Sequence, residues 1–184
     1  MKKIISVFTL ALVVSLTVSA QNYITKKGHI KFYSETPIET IEAHNNAVNC
    51  ALDPRNGDLV FKVLIKSFEF EKALMQEHFN ENYMESDQYP NAMFKGKVAN
   101  LADIDLDNEG TYDADIEGEL TIHGVTREVK EKGAFTVKAG SVRGNSVFNV
   151  ILEDYQIKVP GAVRKQISES IEVTVDVMLE EVKP

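Results

Sequence analysis

Residues 111–124 read TYDADIEGELTIHG, and this stretch decides the class of fold. Apolar or small side chains occupy every second position from Tyr112 to Ile122. Acidic or polar side chains, ending with His123, occupy the positions between them. A period of two is that of a β-strand with one face buried and the other in water. The stretch therefore predicts a long strand with an apolar inner face.

The same alternation continues on both sides of this strand. It is found in GDLVFKVLI (57–65), NAMFKGKV (91–98), VTREVKEKGAFTV (125–137), VFNVILEDYQI (147–157) and IEVTVDVML (171–179). A phase change at Ser67 indicates a bulge or bend after the first of these runs. Clusters of Gly, Asn and Ser, such as AGSVRGNS (139–146), predict the hairpin connections between them.

Several strands at short spacing predict an all-β domain, either a barrel or a sandwich. We favour an extended antiparallel up-and-down β-barrel of about eight strands, because closure removes exposed edges from strands this long and apolar. One main α-helix interrupts the strands at EKALMQEHFNENY (71–83), a segment without Gly or Pro. One face of this helix carries Leu74, Met75, His78 and Phe79. The helix is expected to lie against the sheet or across an open barrel end.

The N-terminus has the order of regions found in an export signal. Lys2 and Lys3 precede an apolar run from Ile4 to Val18, and small residues then offer a cleavage site before Gln21. The run is shorter than the roughly 20 apolar residues that a membrane-spanning helix needs. Residues 1–20 are therefore predicted to be a removed signal peptide, with 21–184 forming one periplasmic or secreted domain and no stable membrane insertion.

Charge and cysteine content restrict the function further. A formal net charge of -8 argues against nucleic acid as a partner, because nucleic-acid binding requires concentrated Lys and Arg. Cys50 is the only cysteine and lies in a strand-like run, so we predict a buried structural thiol, with an exposed thiol as the alternative.

No motif for catalysis, metal binding or cofactor binding is found. The sequence contains no GxSxG elbow, no P-loop and no GxGxxG after a strand. The four histidines lack the spacing of paired metal ligands, and the Asp103-x-Asp105-x-Asp107 turn lacks the glycine and the glutamate of a calcium loop. We therefore predict a protein that is not an enzyme and has no cofactor or metal.

Three segments together resemble the YceI-like family. They are KSFEFEKALMQEHFNENYMESDQYPNAMFKG (66–96), GELTIHGVTREV (118–129) and LEDYQIKVP (152–160), followed by the alternating last strand. The resemblance implies a lipocalin-like barrel, often exported to the periplasm, whose apolar tunnel holds a polyisoprenoid or similar lipid. The chain departs from common members at Asn80–Glu85, so its tunnel mouth is expected to differ.

With this resemblance, the predicted function is to carry or sequester a long apolar lipid, a polyisoprenoid or isoprenoid quinone. The inward apolar positions predicted to line the tunnel are Phe61, Val63, Ile65, Phe68, Phe79, Phe94, Leu120, Ile122, Phe148 and Val150. Polar contacts at the mouth are predicted for Tyr89, His123 and Thr126. The alternatives are a small exported enzyme acting on an isoprenoid-like substrate and a stress-related interaction module with a packed core. A homodimer is left open.

Overall fold

The computed structural model describes residues 22–182, so the predicted signal peptide lies outside the described residues. Within this described range, nine strands form one sheet. They are β1 (Tyr23–Glu35), β2 (Thr40–Leu52), β3 (Asp58–Leu64), β4 (Glu69–Phe70), β5 (Asn91–Val98), β6 (Gly110–Ile122), β7 (Val125–Lys138), β8 (Ser141–Ile151) and β9 (Ser170–Glu181). The helix α1 (Ala73–His78) continues as a π-helical turn over Phe79–Tyr83. No helix within the described range is long and apolar enough to cross a membrane.

The eight long strands close into an antiparallel barrel. Each pairs with its neighbour in the order β1, β2, β3, β5, β6, β7, β8, β9, and β9 pairs back with β1. The two-residue strand β4 adds to β2 before the chain enters the helix. The predicted up-and-down barrel with one helix between strands is confirmed, and the sandwich alternative is wrong.

The alternating patterns face the barrel interior as predicted. In β9 the core positions run from Ile171 to Leu179 at every second residue, and Leu179 is fully buried. In β3 the side chains of Leu59 and Val63 are buried, whereas Val60 between them is exposed. Close after β3 the backbone forms a short 3₁₀ turn at Ile65–Ser67, which is the bend indicated by the phase change.

Two tight turns connect β6 to β7 and β7 to β8. His123 and Gly124 both have positive φ, as do Ala139 and Gly140, which matches the two-residue turns whose twist suits a hairpin. The predicted connection at residues 139–146 is therefore too long, because only its first two residues form the turn. The remainder belongs to β8, where Arg143 points outward to Asp176 and Gly144 packs under the Phe135 ring.

The helical segment covers one end of the barrel. The Phe79 ring lies against the rings of Phe32, Phe68 and Phe70, with centroid distances of 5.4, 5.6 and 5.1 Å. The expected position across a barrel end is thus the observed one. The predicted apolar face is wrong at Leu74, which is 61% exposed, because the short helix turns Met75 inward instead.

Candidate ligand-binding cavity

Two apolar cavities follow one another inside the barrel. The outer cavity has a volume of about 280 Å³ and lies beneath the helical cover, where Met75 and Phe79 form part of its wall. The inner cavity has a volume of about 110 Å³ and lies deeper between the strands. Five side chains face both spaces: Ile30, Val63, Ala92, Leu120 and Phe148. Because they share this boundary, the two cavities form consecutive parts of one apolar interior.

All ten residues predicted to line a tunnel face this interior. Eight face the outer cavity: Val63, Ile65, Phe68, Phe79, Leu120, Ile122, Phe148 and Val150. The other two, Phe61 and Phe94, face the inner cavity. They converge because each occupies an inward position of a barrel strand, of the turn after β3 or of the helical segment that covers the barrel end. Their contact with a bound molecule stays a prediction.

The segment after β8 supplies part of the outer cavity. The alternating run predicted over 147–157 is wrong beyond Ile151, where the strand ends, and the sequence patterns did not indicate the contribution of the residues after 157. A 3₁₀ turn at Leu152–Tyr155 ends the strand, and the chain then runs irregularly to β9. Side chains from this segment that face the outer cavity are Leu152, Ile157, Val163, Gln166 and Ile167. The loop is held to β1 by a hydrogen bond from the Ser168 backbone N–H to Ser34 Oγ (2.9 Å).

A few polar side chains are spread around the outer cavity. Glu39, His78, Tyr83 and Gln166 take part in its wall. The Glu39 carboxylate is paired with Lys72 Nζ at 3.3 Å. Burial raises the pKa of the Tyr83 hydroxyl above its ordinary value of 10.0. This end of the interior can therefore accept a polar group, whereas most of the remaining wall is apolar.

The three predicted polar contacts lie outside the walls of both cavities. His123 Nε2 is 2.9 Å from Glu85 Oε2, and His123 Nδ1 is 3.3 Å from the Tyr155 carbonyl oxygen. The Tyr89 ring meets the His123 ring edge-on at 4.6 Å. Thr126 Oγ1 bonds to Thr121 Oγ1 at 2.8 Å on the exposed surface. The geometry gives these residues a role in fixing the β6–β7 hairpin, and a ligand contact there stays a prediction without support from the cavities.

The single cysteine lies inside the barrel. Cys50 is 3% exposed and faces the inner cavity, and burial raises the pKa of its thiol. The prediction of a buried thiol is confirmed. In the part of the chain that the structure covers, no group of three His, Cys, Asp or Glu side chains could hold a metal ion.

A closed eight-stranded antiparallel barrel with an apolar interior below a helical cover is a lipocalin-like fold. Within that fold class, the chain belongs to the family of the YceI-like domain, whose model matches residues 17–179.

Three solved structures share this fold. A polyisoprenoid-binding domain from Saccharophagus degradans is 13% identical, with a TM-score of 0.77 over 89% of this chain and 99% of that one. BcnA from Burkholderia cenocepacia is 12% identical, with a TM-score of 0.68 over 83% of this chain and 96% of that one. The Campylobacter jejuni YCEI protein is 14% identical, with a TM-score of 0.57 and full coverage of both chains. Comparison with curated proteins finds no match in sequence.

Proposed function

We propose that this protein is an exported binding protein that carries or sequesters a long apolar lipid, a polyisoprenoid or an isoprenoid quinone, inside its barrel. The observation that carries the proposal is the pair of consecutive cavities with almost wholly apolar walls. A packed barrel of this size has no need for such space, because side chains alone can fill it. The similar domain from Saccharophagus degradans, which is described as polyisoprenoid-binding, supports the lipid class.

The free energy of burying an isoprenoid lipid comes mainly from its apolar surface, which apolar cavity walls can cover. Burying about 500 Å² of isoprenoid surface at about 25 cal/mol per Å² contributes on the order of 12 kcal/mol before the costs of association. Such binding needs a smooth apolar wall and few polar anchors. Phe148 and Leu120 lie at the boundary of the two cavities, where they can contact the middle of the bound isoprenoid lipid.

Binding rather than catalysis, and a periplasmic or secreted location, form part of the proposal. The sequence of residues 1–20 supports export, and the absence of a recognised catalytic motif supports a carrier. His78 is the histidine that faces the outer cavity, so the alternative of an exported enzyme rests on that side chain. A carrier should release its lipid chemically unchanged, which mass spectrometry of the lipid before and after incubation can establish.

Blocking the boundary between the cavities tests the proposed site. Leu120→Trp places a large ring where the outer and inner cavities meet, so a long chain can no longer extend through both. We expect binding of a fluorescent prenyl chain, measured by titration, to weaken at least tenfold in a variant that remains folded.

The matched control is Glu119→Trp, one residue away on the exposed face of β6. This variant should bind like the unmodified protein. The proposal that the barrel interior binds a prenyl lipid is contradicted if both variants bind the probe equally well. It is also contradicted if the unmodified protein shows no saturable binding.

A further inference from the structure

The barrel wall is forked between β7 and β8. These strands pair only from Gly133 opposite Ser146 to Lys138 opposite Ser141. Beyond that point β7 continues to pair with β6, and β8 continues to pair with β9, but β7 and β8 no longer pair with each other. The Ser146 hydroxyl donates a hydrogen bond to the Lys132 carbonyl (2.7 Å), which holds the strands together at the branch point.

The wide end of the fork is fixed by the turn after β8. Arg127 Nε donates a hydrogen bond to the Asp154 carbonyl (3.0 Å), so the turn at Leu152–Tyr155 spans from one strand to the other. Val147 and Ile151 on the outer edge of the fork are 59% and 41% exposed. The fork is thus a built gap in the wall with both ends secured.

One side chain with a carboxyl group lines the inner cavity at this gap, and it is partly buried. Glu131 stands opposite Ile116 of β6 and shares the inner face of β7 with Val129 and Phe135. Within residues 22–182 it is the sole charged side chain in the wall of the inner cavity. Burial raises the pKa of its carboxyl, because water no longer fully solvates the charged form.

Glu131 has no partner in the described part of the chain, although lysines flank it. Lys130 and Lys132 point outward, where Lys130 Nζ lies 3.5 Å from Glu117 Oε2 and Lys132 pairs with Asp115. No described side chain forms an ion pair or hydrogen bond with the Glu131 carboxyl. The Glu131 side chain is partly buried, so its carboxyl loses part of its hydration without gaining a partner, which costs free energy. A bound molecule that donates a hydrogen bond there removes that cost.

A carboxylate interacts more favourably with some end groups of an isoprenoid lipid than with others. For the ionised carboxyl, a phosphate or diphosphate end of the lipid brings a like charge close, and a quinone carbonyl offers only another hydrogen-bond acceptor. A hydroxyl group donates a hydrogen bond to the carboxylate and carries little desolvation cost of its own.

We infer that Glu131 binds the hydroxyl end of an isoprenoid lipid, a prenyl alcohol or the hydroxyl-bearing reduced form of a quinone, whose chain extends from the inner into the outer cavity. This inference rests on the proposed function, because it needs a chain in the interior. The hydroxyl end of the lipid would then lie in the inner cavity, beside the fork in the wall.

Two probes of one chain length test the inference: a prenyl alcohol and its methyl ether, which cannot donate a hydrogen bond. We expect the unmodified protein to bind the alcohol about tenfold more tightly than the ether, as measured by competition against a fluorescent prenyl chain. In Glu131→Leu, affinity for the alcohol should fall about tenfold to that for the ether. Glu131→Gln keeps an acceptor oxygen and should retain part of the preference.

The controls separate loss of the site from loss of the fold. Glu128→Leu changes an exposed carboxylate on the same strand and should leave both affinities unchanged. Retained binding of the ether by Glu131→Leu shows that the cavity is intact. Equal affinities for alcohol and ether in the unmodified protein overturn the role of Glu131 and leave the lipid-binding proposal standing. Failure of both probes to bind overturns the lipid-binding proposal itself.

Discussion

Glu131 also makes the stability of the barrel depend on pH. Its pKa in the folded protein is raised above the ordinary value of 4.5 by burial, so the folded state binds this proton more tightly than the unfolded state. The stabilising contribution is complete below the unfolded pKa and is lost as pH rises through the folded pKa. Replacing the group with a neutral amide removes this dependence.

We therefore expect Glu131→Gln to gain stability relative to the unmodified protein as pH rises from about 4 to about 7. The measurement is the free energy of unfolding in urea at several pH values. Glu128→Gln, on the exposed face of β7, serves as the control and should show no comparable trend. A difference between Glu131→Gln and the unmodified protein that is constant over this range contradicts a partly desolvated carboxyl at this position.

Single residues differ in how far the sequence predicts their position. Phe61 and Leu120 follow a period of two, and that period alone assigns them to the inner face. His123 ends the same pattern, but it lies in the turn with positive φ, which directs its ring to Glu85 and Tyr89. The alternating pattern no longer predicts which way a side chain points once the strand has ended.

Among the elements, β5 and β6 approach each other unusually closely at two glycines. Gly96 stands opposite Gly118, and a Cβ atom added at Gly118 would lie 2.4 Å from the Gly96 Cα atom. The Phe94 ring also lies over Gly96, where an added Cβ atom would come within 2.5 Å of its Cζ atom. The strands can keep this spacing only if neither position carries a side chain.

Gly118→Ala is expected to lower the free energy of unfolding by about 2 kcal/mol, since the new methyl group forces the strands apart. Urea denaturation followed by circular dichroism measures the change. Gly161→Ala is the matched control, because a Cβ atom there meets no atom within 4 Å. Similar stabilities for the two variants are incompatible with this close approach.

The helical cover is held mainly by its last aromatic ring. Phe79 contacts three other phenylalanine rings, whereas Leu74 on the same segment faces water. Phe79→Ala should lower the free energy of unfolding by about 2–3 kcal/mol and speed the release of a bound prenyl chain, because the cover loses its packing.

Leu74→Ala tests whether this effect belongs to the packed ring rather than to any apolar residue of the cover. Its side chain is exposed, so both stability and release rate should stay close to those of the unmodified protein. Urea denaturation and stopped-flow displacement measure the two quantities. Equal changes in the two variants disagree with a cover held by Phe79.

Element boundaries were predicted less well than element types. Residues 141–146 contain Gly144, Asn145 and Ser146, which are typical of connections, yet they form the first half of β8. Pairing with β7 on one side and β9 on the other stabilises the strand despite these residues. The loop from residue 156 to residue 169 has apolar side chains without a period, so its contribution to the outer cavity was not predictable from alternation.

At the scale of the whole molecule, closure makes one continuous inner face. β1 pairs with both β2 and β9, so each of the eight long strands in residues 22–182 pairs on both sides, apart from the forked ends of β7 and β8. Alternation along the chain predicted this architecture, because each strand needs one apolar face. It did not predict how much space the interior keeps, since that depends on how side chains from distant strands fill it.

The volume of the interior is therefore the property on which the function depends. The cavities of about 280 and about 110 Å³ remain after the side chains of all described strands are in place. An interior of this kind is expected to be occupied by an apolar molecule when the protein is made in a cell that contains one.

Organic extraction of protein purified without detergent from cells that contain isoprenoid lipids tests this claim most directly. Mass spectrometry of the extract should find an isoprenoid lipid at about one molecule per chain, and much less of it in Leu120→Trp prepared in the same way. Protein that yields no lipid and binds no prenyl chain on later addition contradicts a barrel built to hold one.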